Sequence, residues 1–338
     1  MNLPQLKNLF RLFAVGVTIV VTPLAGAGLL LVGDFNGDNS GVKAYDGNTG
    51  ASQGTFVPFN SGGLTFPLGG AIGPDRNLYV SNSDGDNILR YNGATGAFIN
   101  QFIPTGTGGL EDPAGLIFRK GFLYVAHSSM DGAVSRFNAT TGTFVDTFVS
   151  PGSGGLSDPE GMVFGPDGNL YVTNGSSVLR YNGVTGAFID SFVAPGSGGL
   201  TNTRGIAFAA DGNLLVGNFN FAGGGILEYN GTTGAFLGSF VPAGSGGLSS
   251  PRPLIFGPDG NMYVGDYGTG SVLRYNGTTG AFIDQFVTPG SGGLLGPTFL
   301  VFQSSTVPDS SFALSLLAIS LAALGLAKIA GSSAKEQL

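Results

Sequence analysis

The chain contains no cysteine and no tryptophan, and charged side chains make up only 10% of its 338 residues. Without cysteine there are no disulfides and no thiolate chemistry, so packing alone must stabilise the fold. Lysine and arginine total 14 against 21 aspartates and glutamates, a net charge of −7. A partner with a phosphate backbone needs a basic face, and the arginines here are spread thinly along the chain, which argues against nucleic acid. What stands in place of these residues is 61 glycines, 27 phenylalanines and a hydrophobic fraction of 42%. That is the composition of a turn-dense β protein with ample material for a core, not of a disordered chain.

Residues 155–193, GLSDPEGMVFGPDGNLYVTNGSSVLRYNGVTGAFIDSFV, form the unit that repeats. Met162 to Phe164 is an apolar run, and Gly165-Pro166-Asp167-Gly168 is a turn in which proline pre-sets φ and glycine accepts φ > 0. Asn169 to Thr173 alternates, Ser177 to Tyr181 gives a third strand, and a polar loop from Asn182 to Gly186 leads to a fourth, Ala187 to Val193. No window of this region has a helical period. The third-strand signature recurs at Tyr45, Tyr91, Phe137, Tyr181, Tyr229 and Tyr275, with spacings of 46, 46, 44, 48 and 46. Six copies of four short strands predict an all-β fold, a six-bladed β-propeller rather than a solenoid. The first-strand signature begins at Leu64, Leu110, Leu156, Leu200, Leu248 and Leu294; the last copy, ending at Phe302, has no strands after it, whereas Leu29 to Phe59 supplies three strands and lacks a first. The two chain ends are therefore expected to complete one blade, closing the ring without an open edge.

The units resemble those of NHL-type and related six-bladed propellers, through Pro113-Ala114-Gly115, Pro159-Glu160-Gly161, and the D-G-N-hydrophobic-Y-V runs at Asp167 to Val172 and Asp259 to Val264. The resemblance covers residues 28–302. It implies a fold more than a function, since such propellers include lyase-like and lactonase-like enzymes, scaffolds and binding modules.

Comparing the six copies separates scaffold from variation. Arg90, Arg136, Arg180 and Arg274 are each followed ten residues later by Asn100, Asp146, Asp190 and Asp284, whereas the copies with Ala44 and Glu228 have Gly54 and Gly238. Joint loss predicts pairs facing each other across a hairpin, with a structural role. Variation concentrates after the second strand, at Asp34, Asn82, His127, Asn174, Asn218 and Asp266, and just before the first, at Leu68, Ala114, Glu160, Arg204, Arg252 and Thr298. Antiparallel first and second strands put both sets at one mouth of the central channel. On one reading this is a ligand pocket formed by Asp34, Asn82, His127, Glu160, Asn174, Arg204, Asn218, Arg252 and Asp266, with His127 as acid/base beside Glu160. The lactonase-like resemblance implies a calcium or other divalent ion, which Glu160, Asn174 and Asp266 would hold. On the other reading the Asn and Asp residues hydrogen-bond their local turns, His127 replaces one of them, and no catalytic site or cofactor exists.

Two loops, Asp34-x-Asn36-x-Asp38 and Asn82-x-Asp84-x-Asp86, place oxygen donors as calcium loops do, but Asn39 and Asn87 stand where such loops need glycine, and Tyr45 and Gly93 where they need a bidentate glutamate; they read as polar turns. Segments such as Pro195 to Leu200 read as inter-blade linkers, since no helix follows to make a phosphate cradle. Residues 1–27 read as a signal peptide: Lys7 and Arg11, an apolar run from Leu12 to Val21, Pro23, and the small-x-small site Ala25-Gly26-Ala27. Residues 303–338 read as a linker and tail. Val307-Pro308-Asp309-Ser310, followed by an apolar stretch over 312–327 and Lys328, resembles the PEP-CTERM class of exosortase sorting signals in its VPDSG variant, with Ser311 in place of glycine. The resemblance implies an exosortase-type processing enzyme, passage through a membrane, and a place in the envelope, on the surface or outside a Gram-negative bacterium; a retained membrane anchor is the other reading of the same tail. The expected function is that of an exported binding or scaffold module taking a glycan, matrix or protein ligand on its channel face, and the alternative is a lyase- or lactonase-like enzyme.

Overall fold

The computed structural model describes residues 27–128, 132–220 and 223–304, so the signal-peptide reading, apart from Ala27, and the sorting motif lie outside the described residues. Six sheets of four antiparallel strands form the predicted propeller. Five blades are continuous, over residues 67–103, 113–149, 162–193, 203–241 and 251–287, here blades 1 to 5. The sixth, the closing blade, joins the strand Pro297–Ser304 to Ala27–Asp34, Gly41–Asp46 and Ser52–Val57 in that order. The closing pair runs antiparallel from Asp34↔Pro297 to Ala27↔Ser304. The strands thus extend to Ala27 and Ser304, just beyond the 28–302 read from the repeat, because ladder pairing continues past the apolar signature.

Each blade is covered on both faces by its neighbours, which explains the period-two pattern with both sets apolar. In blade 1, Leu78 and Val80 pack toward the closing blade while Tyr79 packs toward blade 2. The core therefore consists of six clusters, one at each junction between blades. In four blades the second-strand tyrosine sits edge-on between a phenylalanine of its own fourth strand and one from the next blade's first strand, as Tyr171 does between Phe192 and Phe208, with centroids 4.8 and 5.0 Å away. Such pairs add about 0.5–1.5 kcal/mol to their burial.

The leucines read as starts of first strands instead end a single tight turn in each linker, three residues ahead of the strand in most blades. In Ser153-Gly154-Gly155 both glycines have positive φ, 65° and 87°. A side chain on Gly154 would strike the Phe188 ring that lies over it. The Tyr181 hydroxyl donates to the Ser153 carbonyl at 2.8 Å, and the same latch recurs from Tyr45, Tyr91, Tyr229 and Tyr275. The turn delivers its leucine to the junction: all six, from Leu64 to Leu294, are at most 2% exposed. The arginine pairs also stand as expected. Arg136, Arg180 and Arg274 face Asp146, Asp190 and Asp284 and bind them through two nitrogens, Arg90 faces Asn100, and Ala44 and Glu228 face Gly54 and Gly238.

Near the axis the first strands approach so closely that Gly69, Gly115, Gly161 and Gly205 each lie against the carbonyl of Ala114, Glu160, Arg204 or Arg252 in the next blade. Phe299 occupies the equivalent place in the closing blade, and its ring fills the space left by Gly33 and Gly70. A Cβ at Gly205 would meet rigid backbone, whereas one at Gly238 on an outer strand would meet nothing within 4 Å. Gly205→Ala should therefore lower unfolding free energy by at least about 2 kcal/mol in chemical denaturation, and Gly238→Ala should leave it within about 0.5 kcal/mol.

Candidate functional site

In five blades the register puts the start of the first strand beside the end of the second, through Pro67↔Asn82, Pro113↔His127, Thr203↔Asn218, Pro251↔Asp266 and Pro297↔Asp34, whereas in blade 3 the shorter first strand starts at Met162, opposite Val172. Both variable sets do share one mouth. The polar residues ending the second strands, however, turn toward their own linkers. Asn82 Oδ1 accepts from the Thr65 and Phe66 N–H groups at 2.9 and 3.1 Å. Asn174 does the same with Ser157 and Asp158, and Asn218 with Thr201 and Asn202. Asp266 accepts from Ser249 and Ser250 at 3.0 and 2.6 Å, and Asp34 from Leu295 and Gly296 at 3.0 and 2.8 Å. A short side chain with an oxygen two bonds beyond Cβ is what a linker doubling back over a strand end requires. These five residues form a ring of linker anchors, as on the reading that they hydrogen-bond their local turns.

His127 takes the sixth anchoring position. It is 5% exposed, and its Nε2 has no hydrogen-bond partner among the described residues. In this blade the linker is tied from next door, where Asp86, itself in a left-handed conformation, accepts from the Asp112 N–H at 2.8 Å. Burial pushes the imidazole pKa down to about 4. The expected His127–Glu160 acid/base pair is not formed, because Glu160 is engaged by arginines instead.

Glu160 lies just ahead of the first strand of blade 3, and the side chains that follow it round the axis are Arg204 and Arg252. Its carboxylate binds Arg204 Nη1 and accepts from Arg252 Nη2 at 3.3 Å, and Asp158 adds an ion pair to Arg204 at 3.5 Å. Glu160 and Arg252 side chains are 13% exposed. Burial holds both guanidinium pKa values below their ordinary level, opposed by Asp158. Glu160, Arg204 and Arg252, with Leu68 and Thr298, line a central cavity of about 140 Å³. The sequence reading missed two rings that complete the cluster, Phe219 and Tyr267. The Arg204 guanidinium lies 5.7 Å from the Phe219 centroid and that of Arg252 5.4 Å from Tyr267, within cation–π range. Each ring directly follows a linker anchor, Asn218 or Asp266, so one further column of the same comparison would have found them.

The proposed cation donors are occupied: Glu160 by arginines, Asn174 by the linker, and Asp266 by Ser249, Ser250 and the Thr269 hydroxyl at 2.8 Å. In the two calcium-like loops, Asp34 and Asn82 bind their own linkers and Asp86 the next one. Among the described residues no three His, Cys, Asp or Glu side chains gather as a metal-binding group. Nor, among them, is any helix long and apolar enough to cross a membrane.

No family model matches the chain, and no curated protein matches it. Solved structures do. A chain from a crystal structure of a nidogen/laminin complex superposes with a TM-score of 0.61 at 17% identity, over 81% of this chain and 98% of that one. A gluconolactonase from Xanthomonas campestris gives 0.53 at 17%, over 68% and 78%, and a PQQ-bound aldose sugar dehydrogenase from Streptomyces coelicolor gives 0.50 at 18%, over 69% and 82%. At such identities the likeness is one of fold, which a binding protein and enzymes share.

The buried imidazole makes a pH prediction. In the unfolded chain His127 takes a proton below about 6.5, whereas the folded chain resists until about 4, so its contribution to stability is present above 6.5 and is lost as pH falls toward 4. His127→Asn should reduce the stability lost between pH 7 and pH 4 by up to about 3 kcal/mol, measured by denaturant titration at each pH.

Proposed function

We propose that this protein is an exported binding module that holds an extracellular glycan, matrix component or protein on its channel face. One observation carries the reading: a mixed-charge cluster, Arg204–Glu160–Arg252, crowns a cavity of about 140 Å³. Small-ligand pockets usually enclose about 300–1,000 Å³, so a ligand has to lie across this mouth rather than descend into it. Recognition by surface hydrogen bonds and stacking suits binding better than enclosure of a reacting group. The lactonase- or lyase-like alternative requires a general base poised near neutrality. Glu160 shared by two guanidiniums, and a buried His127 whose Nε2 meets no partner among the described residues, do not supply one.

Export rests on the signal-peptide and sorting-tail resemblances. On that reading an exosortase-type enzyme removes the tail while the protein crosses the envelope membrane, and the propeller is left at the surface or released. Intact mass of the protein recovered from its own cells should fall short of the full chain at both ends; retention of residues 307–338 would leave the anchor reading.

The binding reading predicts that the purified full chain associates with the envelope or exopolysaccharide fraction of the producing cells. Arg252→Gln combined with Glu160→Gln should weaken that association at least tenfold in sedimentation assays, while Arg180→Gln on the outer hairpin should not. Association that survives the mouth variant but is abolished by the outer one would place the ligand elsewhere and sink the proposal.

A further inference from the structure

The arginine cluster is only half of the mouth. At the position that follows each linker anchor, the blades carry Ser83, Ser128, Gly175, Phe219, Tyr267 and Phe35, so the three aromatics fall in consecutive blades: 4, 5 and the closing blade. Phe66, in the linker entering blade 1, continues the series by stacking on Phe35 with centroids 4.0 Å apart and planes 29° from parallel. Phe219 and Tyr267 lie 6.2 Å apart at 64°. Between Tyr267 and Phe35 runs Gly296, where a Cβ would come 3.0 Å from the tyrosine ring. All four rings are half-buried, unlike the fully buried tyrosines of the blade junctions. The result is an aromatic arc over four blades, facing a small and polar stretch at Ser128 and Gly175, with the charged cluster between.

We infer that this mouth is a saccharide platform, taking a neutral oligosaccharide with one sugar ring stacked on the arc and its hydroxyls on the cluster. This deepens the binding reading above and rests on it. The C–H face of a pyranose is apolar and flat enough to lie on an aromatic ring, and each hydroxyl both donates and accepts. Arg204 and Arg252 offer donors that alternate in space with the acceptors of Glu160 and Asp158, so vicinal hydroxyls meet one of each. Two guanidiniums face two carboxylates, leaving no surplus cation for an acidic sugar, and the net charge of −7 repels a polyanion. A cavity of about 140 Å³ keeps the ring at the rim.

The test is titration of the full chain with cellohexaose, maltohexaose and mannohexaose, and with oligogalacturonate as the acidic counterpart, followed by calorimetry. At least one neutral hexasaccharide should bind, and Phe219→Ala with Tyr267→Ala should weaken it at least tenfold, whereas Val184→Ala at an exposed loop tip should not. As a readout that does not depend on the variants folding, the ring protons of Phe219 and Tyr267 in the unaltered protein should shift in NMR spectra as that sugar is added. Preference for oligogalacturonate, unchanged affinity in the folded double variant, or ring protons that do not move would each overturn the inference. Binding of the envelope fraction through the mouth with no response to any neutral sugar would overturn it while leaving the broader binding reading in place. Loss of both would end the two together.

Discussion

Close approach of backbone to backbone around the axis is the constraint on which the rest depends. Where the first strands converge, Gly69, Gly115, Gly161 and Gly205 admit the next blade's carbonyl, and Phe299 is accepted because Gly33 and Gly70 make room for its ring. That contact sets the spacing of the blades, and the spacing lets a tyrosine on each of four second strands reach phenylalanines on both sides. It also fixes Ala114, Glu160, Arg204 and Arg252, whose carbonyls are the ones held against these glycines. With its carbonyl so held, each of these residues is left only its side chain to vary, and the four differ from alanine to arginine over that one contact.

Because a lone blade cannot cover its two apolar faces, its copies had to recur at nearly constant spacing, and the architecture was legible for that reason. The closure was legible too, since the leftover strands at Leu29 to Phe59 and Leu294 to Phe302 add up to one blade. Joint variation of Arg180 with Asp190 and of Glu228 with Gly238 reflected a direct cross-strand register. The mouth was less legible. Position along a strand says which end a side chain occupies but not where it turns. Asn174 and Asp266 turn to backbone N–H groups of a linker whose path depends on glycines at positive φ. Blade order suggested that His127 and Glu160 were neighbours, yet the arginines of the two following blades are long enough to reach Glu160, and His127 is buried.

The Arg204–Glu160–Arg252 cluster is not explained by stability. Half-buried charges give up hydration that their mutual attraction only partly restores, and packed apolar residues in such places often do as well or better. The molecule itself supplies the comparison: Leu68 and Ala114 occupy the same position in other blades and are buried. The ion pairs of the outer hairpins contrast with this cluster. Their aspartates are exposed, and such pairs contribute about 1 kcal/mol or less. Charge is thus concentrated where the scaffold does not need it, beside rings that belong to the rim.

The strand that closes the ring also gives the molecule a direction. Pro297 lies at the mouth and Ser304 at the far end of the same strand, paired there with Ala27. The described chain both enters and leaves by the face opposite the arginines. On the proposal that the tail tethers the protein, the point of attachment at Ser304 lies on the back of the propeller, like a dish on a stalk, with the charged and aromatic mouth on the opposite face.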